Sequence, residues 1–179
     1  HLLPCVRLLR VENLVRRNRF LMRQAEIVDT NGASNAKLLF HGTRASRIDA
    51  IVANGLDPRA SKANCVCGTG VYLAESAMTA VLYALGSSKP DAAPPREEIN
   101  ILLCRAELGV SATMSSVIDN ARRAGVSAGS IHRPHERLEN VLFDSARGYL
   151  VDHRDHPIHV VYDRDQINVE YVLKFAPER

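Results

Sequence analysis

Lys37-Leu38-Leu39-Phe40-His41-Gly42-Thr43 is the stretch on which the fold turns. Its apolar run is short and closed by a glycine, which reads as a buried strand rather than a helix. The run ends on a histidine. A strand end holds a side chain rigidly, and a following glycine lets a ligand approach the backbone. The pair His41-Gly42 therefore marks a candidate site.

Downstream, Ser46 is expected to cap a helix whose inner face carries Ile48, Ile51 and Val52,. Asn54-Gly55 supplies a left-handed stop,. Residues 57–69 are rich in small and turn residues and read as a surface loop,. Gly70-Val71-Tyr72-Leu73 forms the next short strand, followed by a helix over 75–85 with Ala77, Val81 and Leu85 at helical spacing,. Residues 86–96, with Pro90, Pro94 and Pro95, form a loop before a strand over 99–107.

Upstream, residues 6–13 read as a strand entering a helix capped by Asn13,. Leu14, Phe20, Leu21 and Ile27 give that helix its spacing, and Thr30-Asn31-Gly32 breaks it. Toward the C-terminus, 111–130 is ambiguous, with a weak helix over 117–124. Strands follow over 140–143, 158–162 and 167–175. In the last, Val169, Tyr171, Leu173 and Phe175 share one face by simple alternation,. Short strands broken by two or three helices predict an α+β fold.

The chain has 179 residues, a length that suits a single domain spanning 1–179,. It starts at His1, so it is expected to be a fragment of a longer chain. No apolar run approaches a membrane span, and no secretory leader is visible. Cys5, Cys65, Cys67 and Cys104 are too sparse for a disulfide framework,. Together these features lead to an expectation of an intracellular protein, cytoplasmic or nuclear, with no membrane partner. Cys65 and Cys67 lie one residue apart, closer than structural zinc half-sites favour, so no metal is expected. The net charge is +3. Arg7, Arg10, Arg16, Arg17, Arg19 and Arg23 crowd the start, where a nucleic-acid partner competes with a plain solvated helix face,. No aromatic residues interleave there for base stacking.

Three features suggest chemistry without any family knowledge. They are His41-Gly42, the Gly68-Thr69-Gly70 turn beside Tyr72, and Tyr83, which with Tyr72 brackets a helix start. Two aromatic rings can sandwich a flat heterocycle. The Gly-x-Gly precedes a strand, so the dinucleotide fingerprint of a strand–turn–helix does not apply.

Leu39-Phe40-His41-Gly42-Thr43 followed by Gly68-Thr69-Gly70-Val71-Tyr72-Leu73-Ala74-Glu75 resembles the poly(ADP-ribose) polymerase catalytic-domain family. Arg10-Val11-Glu12-Asn13 resembles its opening segment. Val160-Val161-Tyr162-Asp163 and Gln166-Ile167-Asn168-Val169-Glu170-Tyr171 resemble its closing strands. These motifs bracket nearly the whole chain in order. The resemblance implies the ADP-ribosyltransferase fold, two small packed antiparallel or mixed sheets with flanking helices. It also implies NAD as co-substrate and a protein acceptor, the chain itself included. His41 would bond a ribose hydroxyl of NAD, and the Gly42 backbone the nicotinamide carboxamide. Tyr72 and Tyr83 would stack on the ring. Thr43, Gly70, Leu73 and Ala74 would frame the same groove. The loop at 57–69 would lie over the donor site, with Arg59 or Lys62 within reach of the pyrophosphate.

Two departures refine this. Chain-building members carry a glutamate four residues before the tyrosine of Val-Tyr-Asp, and that position is Ile158. An isoleucine can neither accept a hydrogen bond nor activate a hydroxyl. The resemblance is thus to the His-Tyr-Ile, mono-ADP-ribosylating type, with His41, Tyr72 and Ile158 as the catalytic set. A one-residue slip would bring His159 to the place, but on the opposite face. The family often has a serine eight residues after the tyrosine, and that position is Ala80. Its loss removes one donor-site hydrogen bond, roughly 0.5–1.5 kcal/mol. The alternative is therefore a weak or inactive module that binds NAD, nucleic acid or protein. The helical regulatory domain of some members has no counterpart within 1–179.

Overall fold

The computed structural model describes residues 5–61, 65–86, 98–127, 130–131, 136–138, 141–150 and 153–175. Its α+β organisation follows the predicted order, beginning with strand β1 (Cys5–Arg10) and helix α1 (Leu14–Asn31). Asn13 caps α1, accepting the Arg16 N–H at 3.1 Å, and Gly32 ends it with a φ of 79°,. The Asn13 amide also donates to the Val52 and Ala53 carbonyls, so the same cap pins a second helix.

That second helix, α2 (Ile48–Asn54), follows strand β2 (Ala36–Gly42). Ser46 does not cap it. The residue lies inside a 3-10 turn over Ala45–Arg47 that leads into α2, and no side chain caps α2's start. Next come β3 (Val71–Ala74), α3 (Ala77–Leu85) and β4 (Ile99–Glu107). The ambiguous 111–130 region resolves into β5 (Ser111–Thr113) and α4 (Met114–Arg123), with Thr113 accepting the Ser116 N–H as cap. The last strands are β6 (Glu136–Leu138), β7 (Val141–Leu142), β8 (Ser145–Leu150), β9 (His153–Val161) and β10 (Ile167–Phe175).

Eight strands form one sheet in the order β1-β10-β4-β2-β3-β9-β8-β5. It divides into two four-stranded halves. β2 pairs with β4 over seven residues, yet meets β3 only at Phe40 opposite Ala74. The two expected sheets are present as these halves of one sheet, joined at that single pair. All pairings within the halves are antiparallel except β5 with β8, so the sheet is mixed. β6 and β7 make a separate pair.

Three apolar clusters hold the layers. One unites Leu39, Leu73, Leu102, Cys104 and Val172 with α2. A second places Ala74, Ile158 and Val160 against Met114 and Val117 of α4. The third packs Ala80 and Val81 of α3 on Ile99 and Ile101.

Three expectations change. On α1, Phe20 and Ile27 face the core, seven residues apart, whereas Leu14 (72% exposed) and Leu21 lie on the solvent side. Apolar spacing alone cannot tell the core stripe from a surface one. On β10, a bulge between Val169 and Tyr171 breaks the alternation,. Val169 and Val172 therefore share the first cluster, while Leu173 and Phe175 pack with the third. Finally, β8 was not foreseen, because Gly148 interrupts its pattern. That glycine has a packing reason, since a Cβ there would lie 2.6 Å from Met114 Cγ and Sδ, where α4 crosses the sheet,.

Candidate active site

His41, near the end of β2, ties that strand to β3 through its ring. Its Nδ1 lies 2.9 Å from the Tyr72 carbonyl oxygen. A carbonyl only accepts, so Nδ1 carries the proton and Nε2 is left as an acceptor when the ring is neutral. Burial holds the His41 pKa below its ordinary value of 6.5, against an opposing contribution from the Tyr72 bond. The neutral acceptor is therefore the form present at pH 7, suited to a hydroxyl donor. Activity that depends on His41 is expected to stay flat from pH 8 to 6.5 and to fall only at lower pH. Stability follows the same sign. It is complete above pH 6.5 and lost as pH drops toward the folded pKa. A rate profile still falling between pH 8 and 7 would show that Nε2 is not the group in use.

Gly42 lies directly beneath α3. A Cβ there would overlap the Ala80 carbonyl oxygen and sit 2.7 Å from its carbon and 2.9 Å from Tyr83 Cβ. Gly42, Ala80 and Tyr83 are therefore in one contact layer. The Tyr83 ring is 49% exposed. The Ala80 side chain points into the third cluster, with Val81, Ile99 and Ile101. Thr43 follows β2, half-buried at the same end.

Tyr72 is fixed at both ends. Its backbone carbonyl holds His41, and its hydroxyl accepts the Cys67 N–H at 2.9 Å while donating to the Gly68 carbonyl at 3.0 Å. The phenol thus ties down the turn that precedes its own strand. Gly68 has a φ of 79°, and a Cβ on it would overlap the Ile131 carbonyl oxygen. Gly70 is closed in by Val160. Tyr72→Phe is expected to leave the Cys67 N–H unpaired, costing about 1–3 kcal/mol in denaturant unfolding,. An unchanged midpoint would contradict the tie. The Cys65 thiol lies near enough to both Tyr72 and Tyr83 to raise their phenol pKa values, after the larger effect of burial. Cys65 is a free thiol that residue spacing alone did not connect with the tyrosines. Cys67 is also free, but burial pushes its thiol up to about 11, so it is inert at neutral pH,.

Ile158 is opposite Ala74, and Val160 opposite Tyr72. Directly paired residues share a sheet face, so Ile158 lies on Tyr72's face, 2% exposed in the second cluster,. His159 faces the other way. Its Nε2 is 2.8 Å from Glu75 Oε1, which also takes the Lys37 ammonium at 2.6 Å. Burial holds His159 below its ordinary pKa against the pull of Glu75. It is a neutral donor held in place by Glu75, on the sheet face opposite to that of Ile158 and Tyr72.

Not every expected residue joins this layer. Leu73 and Ala74 are core residues of the first and second clusters. Arg59 is 82% exposed, forks onto Asp57 of its own turn and lines a cavity with Arg19, Arg23 and Arg164. Lys62 lies outside the described residues, as do most of 86–96. In the arginine-rich start, Arg16 is buried on Asp165 at 2.7 Å, and Arg23 bonds Glu26 and Asp163. Arg16 and Arg23 are therefore internal ties, and Arg10 pairs with Glu12 at 3.4 Å. Among the described residues, no three His, Cys, Asp or Glu gather to hold a metal, and no helix is long and apolar enough to cross a membrane. Against known proteins, a family model described as the poly(ADP-ribose) polymerase catalytic domain matches residues 3–176.

Proposed function

The chain belongs to the poly(ADP-ribose) polymerase catalytic-domain family, ADP-ribosyltransferases that use NAD, and from that premise we propose that it transfers single ADP-ribosyl units to a protein acceptor, itself included. The observation that carries this reading is Ile158. Its place opposite Ala74, on Tyr72's face, offers only hydrocarbon. No carboxylate stands there to deprotonate a ribose hydroxyl, which chain extension needs.

In this reading the His41 Nε2 accepts a hydrogen bond from a hydroxyl of the nicotinamide-side ribose. The Gly42 backbone pairs with the carboxamide under α3, and the Tyr72 and Tyr83 rings cover the nicotinamide. Thr43 and Gly70 line the approach. The C–N glycosidic bond breaks, its electron pair leaving with nicotinamide, and positive charge develops on the ribose as in glycoside chemistry. The acceptor's oxygen then forms the new bond to C1′. The site's contribution is orientation, by a histidine fixed through Nδ1 and a Tyr72 ring fixed by the turn at Cys67 and Gly68,. Acceptor Asp or Glu side chains suit a site without its own base, since a carboxylate needs no deprotonation. Peptide mapping that finds the modification only on Ser or Arg would contradict that choice.

Ala80 favours a second reading, in which the domain binds NAD weakly or without turnover. It supplies no hydroxyl to the carboxamide and is buried among aliphatic side chains. Incubation with labelled NAD separates the two. A labelled protein band, lost in His41→Ala, is expected. Saturable NAD binding by calorimetry with neither label nor nicotinamide release would favour the binding module.

A further inference from the structure

Tyr162 is a half-buried residue to which the transfer reading gives no task. It stands where β9 ends and packs against the second apolar cluster. The next residue, Asp163, caps the 3-10 turn over Arg164–Gln166 and takes Arg23 of α1 at 3.2 Å. Tyr162 is therefore set between a paired strand and a turn that is tied to a helix. Burial raises its phenol pKa, so the hydroxyl keeps its proton through the neutral range,.

That hydroxyl donates to the Cys67 carbonyl at 2.7 Å. The N–H of the same Cys67 donates to the Tyr72 hydroxyl at 2.9 Å. The backbone of one residue is thus held between two phenols. The Tyr72 hydroxyl in turn donates to the Gly68 carbonyl at 3.0 Å. Residues 65–70 lie outside every helix and strand, so no ladder fixes them. Gly70 also rests on this corner, since a Cβ there would overlap Val160 and come 3.4 Å from Tyr162 Cδ1. A side chain is only as well placed as the groups that hold it. The tip of the Tyr72 ring is held by the turn, and the turn is held by Tyr162.

We propose that Tyr162 is a positioning residue for NAD, whose hydroxyl fixes the turn at Cys67 and, through it, the Tyr72 ring. The proposal rests on the reading in which that ring covers the nicotinamide. A ring ordered before NAD arrives leaves less ordering to be done on binding. Without the Tyr162 hydroxyl, the Tyr72 phenol keeps its partners, but they move with the turn. NAD binding weakens, whereas the bond-breaking step, oriented by His41, is left as it was.

Tyr162→Phe, which removes one oxygen and keeps the ring, tests this on the whole chain. KM for NAD is expected to rise about tenfold with kcat within about twofold of the parent, the mark of binding lost equally from ground and transition states. A variant that was merely less folded would lose kcat instead, because its folded fraction would bind NAD as before. On a Tyr72→Phe background the same change is expected to add less than about twofold, since members of one hydrogen-bond network do not act additively. With no NAD present, exchange of the Cys67 amide is expected to quicken about tenfold or more, while amides of the β2–β4 ladder keep their rates,. An unchanged KM, a fall in kcat alone, a fully additive loss with Tyr72→Phe, or a Cys67 amide that exchanges no faster than the ladder's change explains would each overturn the proposal. The exchange measurement needs neither NAD nor turnover, so its failure is distinct from failure of the transfer reading.

Discussion

Gly42→Ala is expected to cut the rate of ADP-ribosyl transfer by about a hundredfold or more, the size of effect that follows a 1 Å misplacement in a site. The added methyl overlaps the Ala80 carbonyl oxygen, a backbone atom of α3 that cannot rotate away. α3 must shift, carrying Tyr83, whose Cβ is 2.9 Å from the new atom. Overpacking of this kind costs about 1–3 kcal/mol, so the variant should still fold. Gly32→Ala provides the control. Nothing lies within 4 Å of a Cβ there, but its φ of 79° makes alanine unfavourable. It is expected to cost about 1 kcal/mol and leave the rate unchanged. If Gly42→Ala retained full activity, the contact between β2 and α3 would not shape the nicotinamide site.

Ile158→Glu is expected to be the most destabilising single change in the site, by about 3–5 kcal/mol at pH 7. Ile158 is 2% exposed and belongs to an apolar cluster with Ala74, Ala146 and Val160. Burial raises the pKa of the introduced carboxyl above its unfolded value, so the penalty shrinks as pH falls and the group protonates. Ile158→Val, which removes one methylene, is expected to cost only about 0.5–1.5 kcal/mol. Restoring a carboxylate at this position should therefore not produce a polymerase by itself, because the surroundings are built for an aliphatic side chain. Unfolding curves against denaturant at pH 5 and pH 8 check the sign. A Glu variant as stable as the parent at pH 8 would mean that Ile158 is open to water.

Much of this arrangement was legible in the residues. α1 announces itself by Asn13 and Gly32, and β2 by an apolar run closed with His41-Gly42. The mono-transfer reading rests on counting back from Tyr162 to Ile158, and strand alternation already separated that residue from His159. What escaped sequence reading has a common physical origin, because it depends on contacts between distant segments. The bulge between Val169 and Tyr171 arises from pairing with β4 and leaves no local mark. β8 is held by β9 and by Met114 over Gly148, so its own pattern looks like a loop. Leu14 and Leu21 match helix spacing as well as Phe20 does, and only the packed sheet decides which stripe is inside. Arg59 looked like a free cation over the donor site. Its fork onto Asp57, which also takes Arg164 from far along the chain, is a contact that residue spacing does not show. The two hydrogen bonds of the Tyr72 hydroxyl, with the Cys67 N–H and the Gly68 carbonyl, likewise depend on how the turn closes.

The central claim, transfer of one unit per acceptor side chain, is tested most directly by the product's chemistry. Labelled NAD is incubated with the protein, and the pyrophosphate bonds of the purified conjugate are then cleaved. A single attached unit releases AMP alone, because its adenosine is terminal. Internal units of a chain release adenosine phosphate bearing a second ribose phosphate. The account predicts label in AMP only, at any NAD concentration, and none after His41→Ala. Recovery of the ribosylated nucleotide would show chain extension and contradict the role given to Ile158.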